Sequence, residues 1–199
     1  VLDDDTVLLV TKEGVISSNT LSGGTLSPLW TFELNLTTTY AKIDSGEKII
    51  AVIHEFGFLT FNIETEQVEQ NKTLSSIPDS LDWDTDGDIW IAYHSGIRKA
   101  KEYRNGEYNG VQTSQISSGF FSFEITENND LVMGGFDSKL HIFDQQGMLI
   151  TQKSEPSSYL SSLNDFGNGI LVAGSGDGSI HFYDYNNTWS HSFLSISSQ

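Results

Sequence analysis

Short runs of apolar residues recur along the chain at nearly constant intervals, and each run follows a polar turn. The runs begin at Val7, Ile49, Ile89, Leu131 and Ile170, so the intervals are 42, 40, 42 and 39 residues. Such brief runs, rich in β-branched residues and bounded by turn formers, are typical of buried strands. No segment keeps a 3.6-residue period, so the pattern predicts an all-β protein.

Each interval contains the same order of segments. A Ser/Thr-rich or aromatic stretch such as 120–125 precedes the apolar run, and an alternating segment such as 140–144 and a polar strand such as 149–153 follow it. Four strands in about 40 residues, repeated five times, are typical of a β-propeller, because a blade buries both faces only by stacking on its neighbours. The pattern predicts a single domain, 1–199, with five four-stranded blades near 1–37, 38–76, 77–117, 118–156 and 157–199.

The two ends of the chain bear on the number of blades. The first unit has no visible opening strand, and the tail 193–197 has no unit to join. We expect the N- and C-terminal segments to pair with each other and close a five-bladed ring, because closure removes exposed sheet edges. A fragment of a six- to eight-bladed propeller is the alternative.

Two stretches one period apart share a strand–turn–strand pattern. Residues 134–144 and 174–184 both begin with glycines and end in an aromatic–aspartate pair, Phe143-Asp144 and Tyr183-Asp184. The pair stands where the tryptophan–aspartate (WD) repeat family has Trp-Asp, and the chain resembles that family, although the Gly-His dipeptide of good repeats is missing. The resemblance implies a non-enzymatic β-propeller that acts as an interaction scaffold for a protein partner.

Charge narrows the class of partner. The chain has 27 acidic and 10 basic residues, a net charge of −17. Such a surface repels nucleic acid and anionic membranes, whereas basic proteins, cations and neutral glycans remain open as partners. No apolar run approaches the roughly 18 residues that a membrane helix needs. The chain has no cysteine, which excludes disulfides and thiolate chemistry. We expect a monomer that binds a partner protein.

The resemblance also indicates where a partner would bind. In propellers of this kind, one face is formed by the loops between second and third strands, together with the loops that lead into each blade. Aromatic side chains beside acids suit a basic, partly apolar partner. The candidate residues on these loops are Glu55, Phe56, Tyr93, His94, Phe136, Asp137 and Asp177.

One loop has the spacing of metal ligands. Asp82, Asp84 and Asp86 alternate before Gly87, as in the first half of a calcium loop. The Glu expected at the twelfth position is absent, since Tyr93 stands there. Asp and Gly are also the preferred turn residues, so an ordinary β-turn is the favoured interpretation and calcium the alternative. No other cofactor is expected.

An enzyme remains a second hypothesis. Gly-x-Ser-x-Gly, phosphate-binding and dinucleotide-binding motifs are absent. Five-bladed propellers include glycosidases, so the alternative function is an extracellular glycan-binding or glycoside-cleaving propeller. It would have a pocket of carboxylates and aromatics at the mouth of its channel.

Overall fold

The computed structural model describes residues 6–44, 46, 48–93 and 119–195, together with the strand backbone of 99–104 and 107–109. The chain divides into two compact units, Val1–Ile77 and Pro78–Gln199. All sheets are antiparallel, and sequential strands pair with each other. The prediction of an all-β protein is confirmed.

The first unit contains two sheets. The three-stranded sheet has the order β1-β2-β3 and the four-stranded sheet the order β4-β5-β6-β7. Their strands are β1 Thr6–Val10, β2 Val15–Ser22, β3 Thr25–Glu33, β4 Thr38–Ile43, β5 Ile49–His54, β6 Gly57–Asn62 and β7 Gln67–Thr73.

The second unit contains three sheets, each of four strands in sequential order. The first comprises β8 Ser80–Trp83, β9 Ile89–Tyr93, β10 Lys99–Arg104 and β11 Glu107–Asn109. The second comprises β12 Phe120–Ile125, β13 Leu131–Gly135, β14 Leu140–Phe143 and β15 Leu149–Lys153. The third comprises β16 Leu160–Asp165, β17 Ile170–Ser175, β18 Ser179–Asp184 and β19 Ser190–Ser195, with a 3₁₀ turn Tyr185–Asn187 before its last strand.

The prediction of five four-stranded blades closed by the two chain ends is wrong. Among the described residues, four sheets have four strands, whereas the sheet that begins at Thr6 has three. The C-terminal segment does not pair with the N-terminal one in the described residues. Instead, Ser190–Ser195 forms β19 and pairs with β18 of its own sheet, with Phe193 opposite His181.

Apolar faces of neighbouring sheets pack against each other within each unit. In the first unit, Ile16 of β2 and Phe61 of β6 belong to one buried cluster. In the second, Trp90 of β9 packs with Phe123 of β12, and Val132 of β13 packs with Leu160 of β16. The strands form because their alternating side chains gain this burial.

The first strands of three sheets share a local irregularity, which in one of them positions a surface residue. In β4, β12 and β16 the register slips by one residue, between Thr38 and Tyr40, between Phe120 and Ser122, and between Leu160 and Ser162. A bulge of this kind bends the strand and turns the extra side chain away from the regular alternation.

Candidate partner-binding surface

The loop that leads into a sheet lies beside the turn between its second and third strands. Backbone hydrogen bonds join the two: Phe136 N–H donates to the Gly119 carbonyl at 3.0 Å, and Gly176 N–H to the Tyr159 carbonyl at 2.9 Å. In the first unit, Glu55 N–H donates to the Thr37 carbonyl at 3.2 Å. Both segments therefore lie at the same end of each of these sheets.

Three exposed aromatic rings meet at this end of the second unit. The centroids of Phe121 and Phe136 are 3.8 Å apart, and those of Phe121 and Tyr159 are 5.0 Å apart. Phe121 is 48% exposed, Phe136 40% and Tyr159 41%. We call these three residues the aromatic cluster. Large rings held at the surface by one another form a rigid apolar platform, a common feature of binding hot spots.

Two backbone features place the cluster. Phe121 is the extra residue of the β12 bulge, so its ring points outward while Phe120 and Phe123 are buried. Tyr159 lies against Gly176 in the turn of the next sheet, and a Cβ at Gly176 would overlap its ring. The cluster thus depends on a strand irregularity and on a glycine where a ring approaches the backbone.

Acidic side chains stand in the same turns. Asp137 contacts Nε2 of His141 through both carboxylate oxygens at 3.1 Å. Asp177 accepts hydrogen bonds from the hydroxyls of Ser157 and Ser179. These hydrogen bonds, that from Ser157 first, lower the pKa of Asp177 below its usual range. The exposed Asp177 carboxylate is therefore ionised and fixed in place at neutral pH.

A row of buried polar side chains, linked by hydrogen bonds, supports the turn that contains Asp177. The Ser179 hydroxyl is 2.7 Å from Nε2 of His181, and Nδ1 of His181 is 2.8 Å from Nε2 of His191. The serine lies between the aspartate and the histidine, whereas a hydrolytic triad needs the histidine in the middle. The chain of hydrogen bonds is suited to holding the turn rather than to activating a nucleophile.

The remaining predicted binding residues lie on other sheets. Glu55 accepts a hydrogen bond from Thr37 N–H at 3.1 Å, and Phe56 is exposed with its ring 6.3 Å from that of His54. Tyr93 ends β9 and is half-buried. His94 lies outside the described residues. The structure brings Phe136 together with two aromatics, whereas the ring that lies near Phe56 among the described residues of the first unit is that of His54.

The three aspartates of the candidate calcium loop point to different partners. Asp82 is buried and accepts from Ile125 N–H at 2.7 Å. Asp84 accepts from Asp86 N–H and Asp88 N–H through Oδ1 and from the Trp90 indole through Oδ2, each near 3 Å. The Asp86 side chain is exposed. Among the described residues, no group of three or more acidic or histidine side chains is arranged to hold a metal ion. Calcium binding stays a prediction.

Comparison with solved structures identifies the fold. A chain in the crystal structure of the mitotic checkpoint complex superposes with a TM-score of 0.68 at 16% identity, covering 97% of this chain and 64% of its own length. The WD40 β-propeller domain of Doa1 gives a TM-score of 0.70 at 14% identity, covering 98% of this chain and 67% of that one. The fold is that of WD40 β-propellers. The resemblance seen in the repeats is confirmed at the level of the fold.

The comparisons identify the fold, and they bear on function only through the fold. No family model and no curated protein matches the sequence. The chain spans about two thirds of the length of the WD40 chains that it resembles. The comparisons give no support to the glycan-binding or glycan-cleaving alternative. The described part of the chain contains no helix with the length and apolar character needed to cross a membrane.

Two of the three members of the aromatic cluster were not among the candidates that the sequence suggested. Phe136 lies in a turn and was among the candidates, whereas Phe121 lies on a strand and Tyr159 in an incoming loop. The exposure of Phe121 follows from the β12 bulge and the position of Tyr159 from a contact between two sheets, neither of which the pattern within one repeat predicts.

Proposed function

We propose that this WD40-type propeller is a non-enzymatic interaction scaffold, and that its aromatic cluster binds a basic, partly apolar segment of a partner protein. The observation that supports the proposal is the contact of Phe121, Phe136 and Tyr159 at the surface, in turns that also carry Asp137 and Asp177. Exposed aromatics that pack on each other lose little conformational freedom when a partner binds.

The chemistry of these side chains selects the partner. Ring faces attract the guanidinium of arginine or the ammonium of lysine, and neighbouring carboxylates add an attraction that weakens with salt. Apolar side chains of the partner gain burial against the rings. A segment that mixes Arg or Lys with leucine or tryptophan meets both requirements, and an acidic segment meets neither.

An immobilised array of short synthetic peptides tests the proposal. Peptides in which Arg or Lys alternates with Leu, Ile or Trp are compared with versions in which Glu replaces each basic residue. We expect the wild-type protein to bind the basic set, and Phe136→Ala and Asp177→Asn each to weaken that binding, Phe136→Ala by about tenfold.

The matched control is Phe166→Ala. Phe166 is 69% exposed, but it lies in the turn between β16 and β17, away from the aromatic cluster. This variant should bind the basic peptides as the wild type does. Equal binding of acidic and basic peptides, or a loss in Phe166→Ala as large as that in Phe136→Ala, would refute the proposal.

A further inference from the structure

Two histidines contact each other across neighbouring strands of the last sheet. His181 lies on β18 and His191 on β19, and Nδ1 of the first ring is 2.8 Å from Nε2 of the second. His181 stands opposite Phe193, and His191 precedes Phe193 by two residues, so the two histidines are diagonal neighbours on one face of the sheet. That face packs against the preceding sheet, because Tyr183, two residues after His181, shares a buried cluster with Leu140 of β14.

The hydrogen bonds around His181 determine which of its nitrogens carries the proton. The ionised carboxylate of Asp177 only accepts hydrogen bonds, so the hydroxyl of Ser179 donates to it. That hydroxyl then accepts from Nε2 of His181, which lies 2.7 Å away. A neutral imidazole carries one proton, so Nδ1 of His181 presents a lone pair, and this lone pair faces His191.

Histidines that bind metal ions have the same arrangement. One nitrogen offers its lone pair to the metal, and the other donates to a polar group that orients the ring, as Ser179 and Asp177 orient His181. Burial, and secondly His191, lower the pKa of His181, so the ring is neutral at pH 7, which is the form that binds metals. The carboxylates of Asp177 and Glu155 act on this pKa in the opposite direction, and the same attraction favours a cation beside the ring.

Aromatic rings hold both imidazoles in place. The Phe193 ring stacks on that of His181, with centroids 5.9 Å apart, and on that of His191, with centroids 6.1 Å apart. The centroid of Tyr183 lies 5.0 Å from that of His191. Ligands that are fixed by packing lose little conformational freedom when they bind. Because His191 is half-buried and Phe193 is 63% exposed, one side of the histidine pair is open to solvent.

We propose that His181 and His191 bind one divalent transition-metal ion, with Nδ1 of His181 and Nε2 of His191 as its two protein ligands and water in the remaining positions. The two bonds to the metal replace the hydrogen bond between the rings. His191 loses the proton from Nε2 and gains one at Nδ1, so both imidazoles stay neutral and the number of bound protons is unchanged. No group of three or more acidic or histidine side chains is arranged for a metal in the described parts of the chain, so the site is open rather than a closed four-ligand centre.

The distance between the two nitrogens favours particular ions. With metal–nitrogen bonds of about 2.0–2.1 Å, ligands at a right angle are about 2.9 Å apart, whereas tetrahedral ligands are about 3.3 Å apart. The separation of 2.8 Å therefore fits neighbouring positions of a tetragonal ion better than those of tetrahedral Zn²⁺. Cu²⁺ and Ni²⁺ take tetragonal geometries with nitrogen ligands. We expect both ions to bind more tightly than Zn²⁺.

Calorimetric titration of the full chain with Ni²⁺ tests the proposal, with protein that carries no histidine tag. The wild type should bind one ion per chain. His191→Gln should weaken binding by about tenfold or more, because it removes a ligand and loss of even a group that orients a ligand has an effect of this size. With Cu²⁺, electron paramagnetic resonance should show hyperfine splitting from two nitrogens in the wild type and from one in His191→Gln.

The matched control is His141→Gln. His141 precedes the pair Phe143-Asp144 by two residues, as His181 precedes Tyr183-Asp184, but β15 beside it contains no histidine, and its Nε2 contacts Asp137 at 3.1 Å. This variant should bind Ni²⁺ as the wild type does, and circular dichroism verifies that both variants fold. Absence of Ni²⁺ binding, unchanged affinity in His191→Gln, equal losses in the two variants, or tighter binding of Zn²⁺ than of Ni²⁺ would overturn the proposal.

Thermal unfolding supplies a second measurement. Free Ni²⁺ at a hundredfold excess over its dissociation constant should raise the unfolding midpoint of the wild type by about 5–10 °C, and a chelator should reverse the rise. The midpoint of His191→Gln should rise much less, and an equal rise would contradict the assignment of the site. His191→Gln leaves the aromatic cluster unchanged and should bind the basic peptides normally, so the two proposals are tested independently.

Discussion

Asp84 is the residue whose removal should show most directly what the aspartate-rich loop does. Its carboxylate is buried and accepts from the indole of Trp90 at 2.9 Å, while its other oxygen accepts from Asp86 N–H at 3.0 Å and Asp88 N–H at 2.9 Å. Trp90 is only 2% exposed. Asp84→Ala leaves the indole N–H without an acceptor in the core and removes two hydrogen bonds from the turn.

The expected decrease in the free energy of unfolding follows from these hydrogen bonds. An unsatisfied buried donor costs about 1–3 kcal/mol, and hydrogen bonds to a charged acceptor contribute more than neutral ones. The turn N–H groups lie nearer the surface, where water replaces part of the lost bonding. We expect Asp84→Ala to lower the free energy of unfolding by about 3 kcal/mol. Asp86→Ala, an exposed substitution two residues away, should change it by less than about 0.5 kcal/mol.

Urea unfolding monitored by tryptophan fluorescence measures both variants against the wild type. The free energy is obtained from the midpoint and the slope, and an unchanged slope shows that the comparison is valid. A wild-type midpoint in Asp84→Ala would refute the hydrogen-bonding argument. The same titration with calcium and with a chelator tests the calcium prediction: a rise in the midpoint with calcium that Asp86→Ala abolishes would show that the loop binds the ion.

Two further predictions concern backbone conformation and pH. Gly14 and Gly24 both have φ near +80°, but an added Cβ at Gly14 would overlap the Leu36 carbonyl while Gly24 faces open space. Gly24→Ala should therefore cost about 1 kcal/mol in urea unfolding and Gly14→Ala at least twice as much, and equal costs would refute the steric argument. Burial, and secondly His191, lower the pKa of His181 below 6.5. The unfolded chain then binds this proton more tightly, so stability should be full above about pH 6.5 and fall as the pH drops below it towards the lower folded-state pKa. Thermal unfolding between about pH 8 and 5 measures this, and His181→Gln should flatten the acid side of the profile.

The sequence was most informative about the strands that are buried on both faces. Runs such as Ile49–Ile53 and Ile170–Ala173 are brief, apolar and bounded by turns, and they became β5 and β17. Their constant interval predicted a propeller because stacked blades need units of equal size, and the comparison with WD40 structures confirmed the fold. The local pattern and the burial agree at these positions, so the periodicity of the apolar residues was sufficient to predict these strands.

The predicted pairing of the two chain ends was wrong because the last repeat contains its own fourth strand, β19. The last repeat connects its third and fourth strands through the 3₁₀ turn Tyr185–Asn187, followed by Thr188 and Trp189 with positive φ. This connection, residues 185–189, is as long as the connection 144–148 in the preceding sheet, so the regular spacing of the strands already placed β19 in the last repeat. Phe193 and Leu194 are exposed on β19, and the strand that pairs with them is β18 of the same sheet rather than the N-terminal segment.

The candidate surface was predictable only in part. Phe136, Asp137 and Asp177 could be selected because turns expose their residues, and the structure places all three in turns of the second unit. The bulge that exposes Phe121 depends on the pairing of β12 with β13. The position of Tyr159 depends on contact with Phe121 across two sheets. Contacts between repeats leave little trace in the pattern within one repeat.

Two hydrogen bonds join neighbouring sheets of the second unit, one from Ile125 N–H to Asp82 and one from Asp165 N–H to Glu124. They have a consequence for the evolution of such a chain. Each carboxylate accepts a hydrogen bond from a main-chain N–H, a group that every amino acid except proline provides. The residue that contributes the amide is therefore free to vary, and it is isoleucine in one joint and aspartate in the other. A duplicated or exchanged module needs to retain only one acid to dock on its neighbour. Repeats can thus diverge widely in sequence while their mutual alignment is inherited intact.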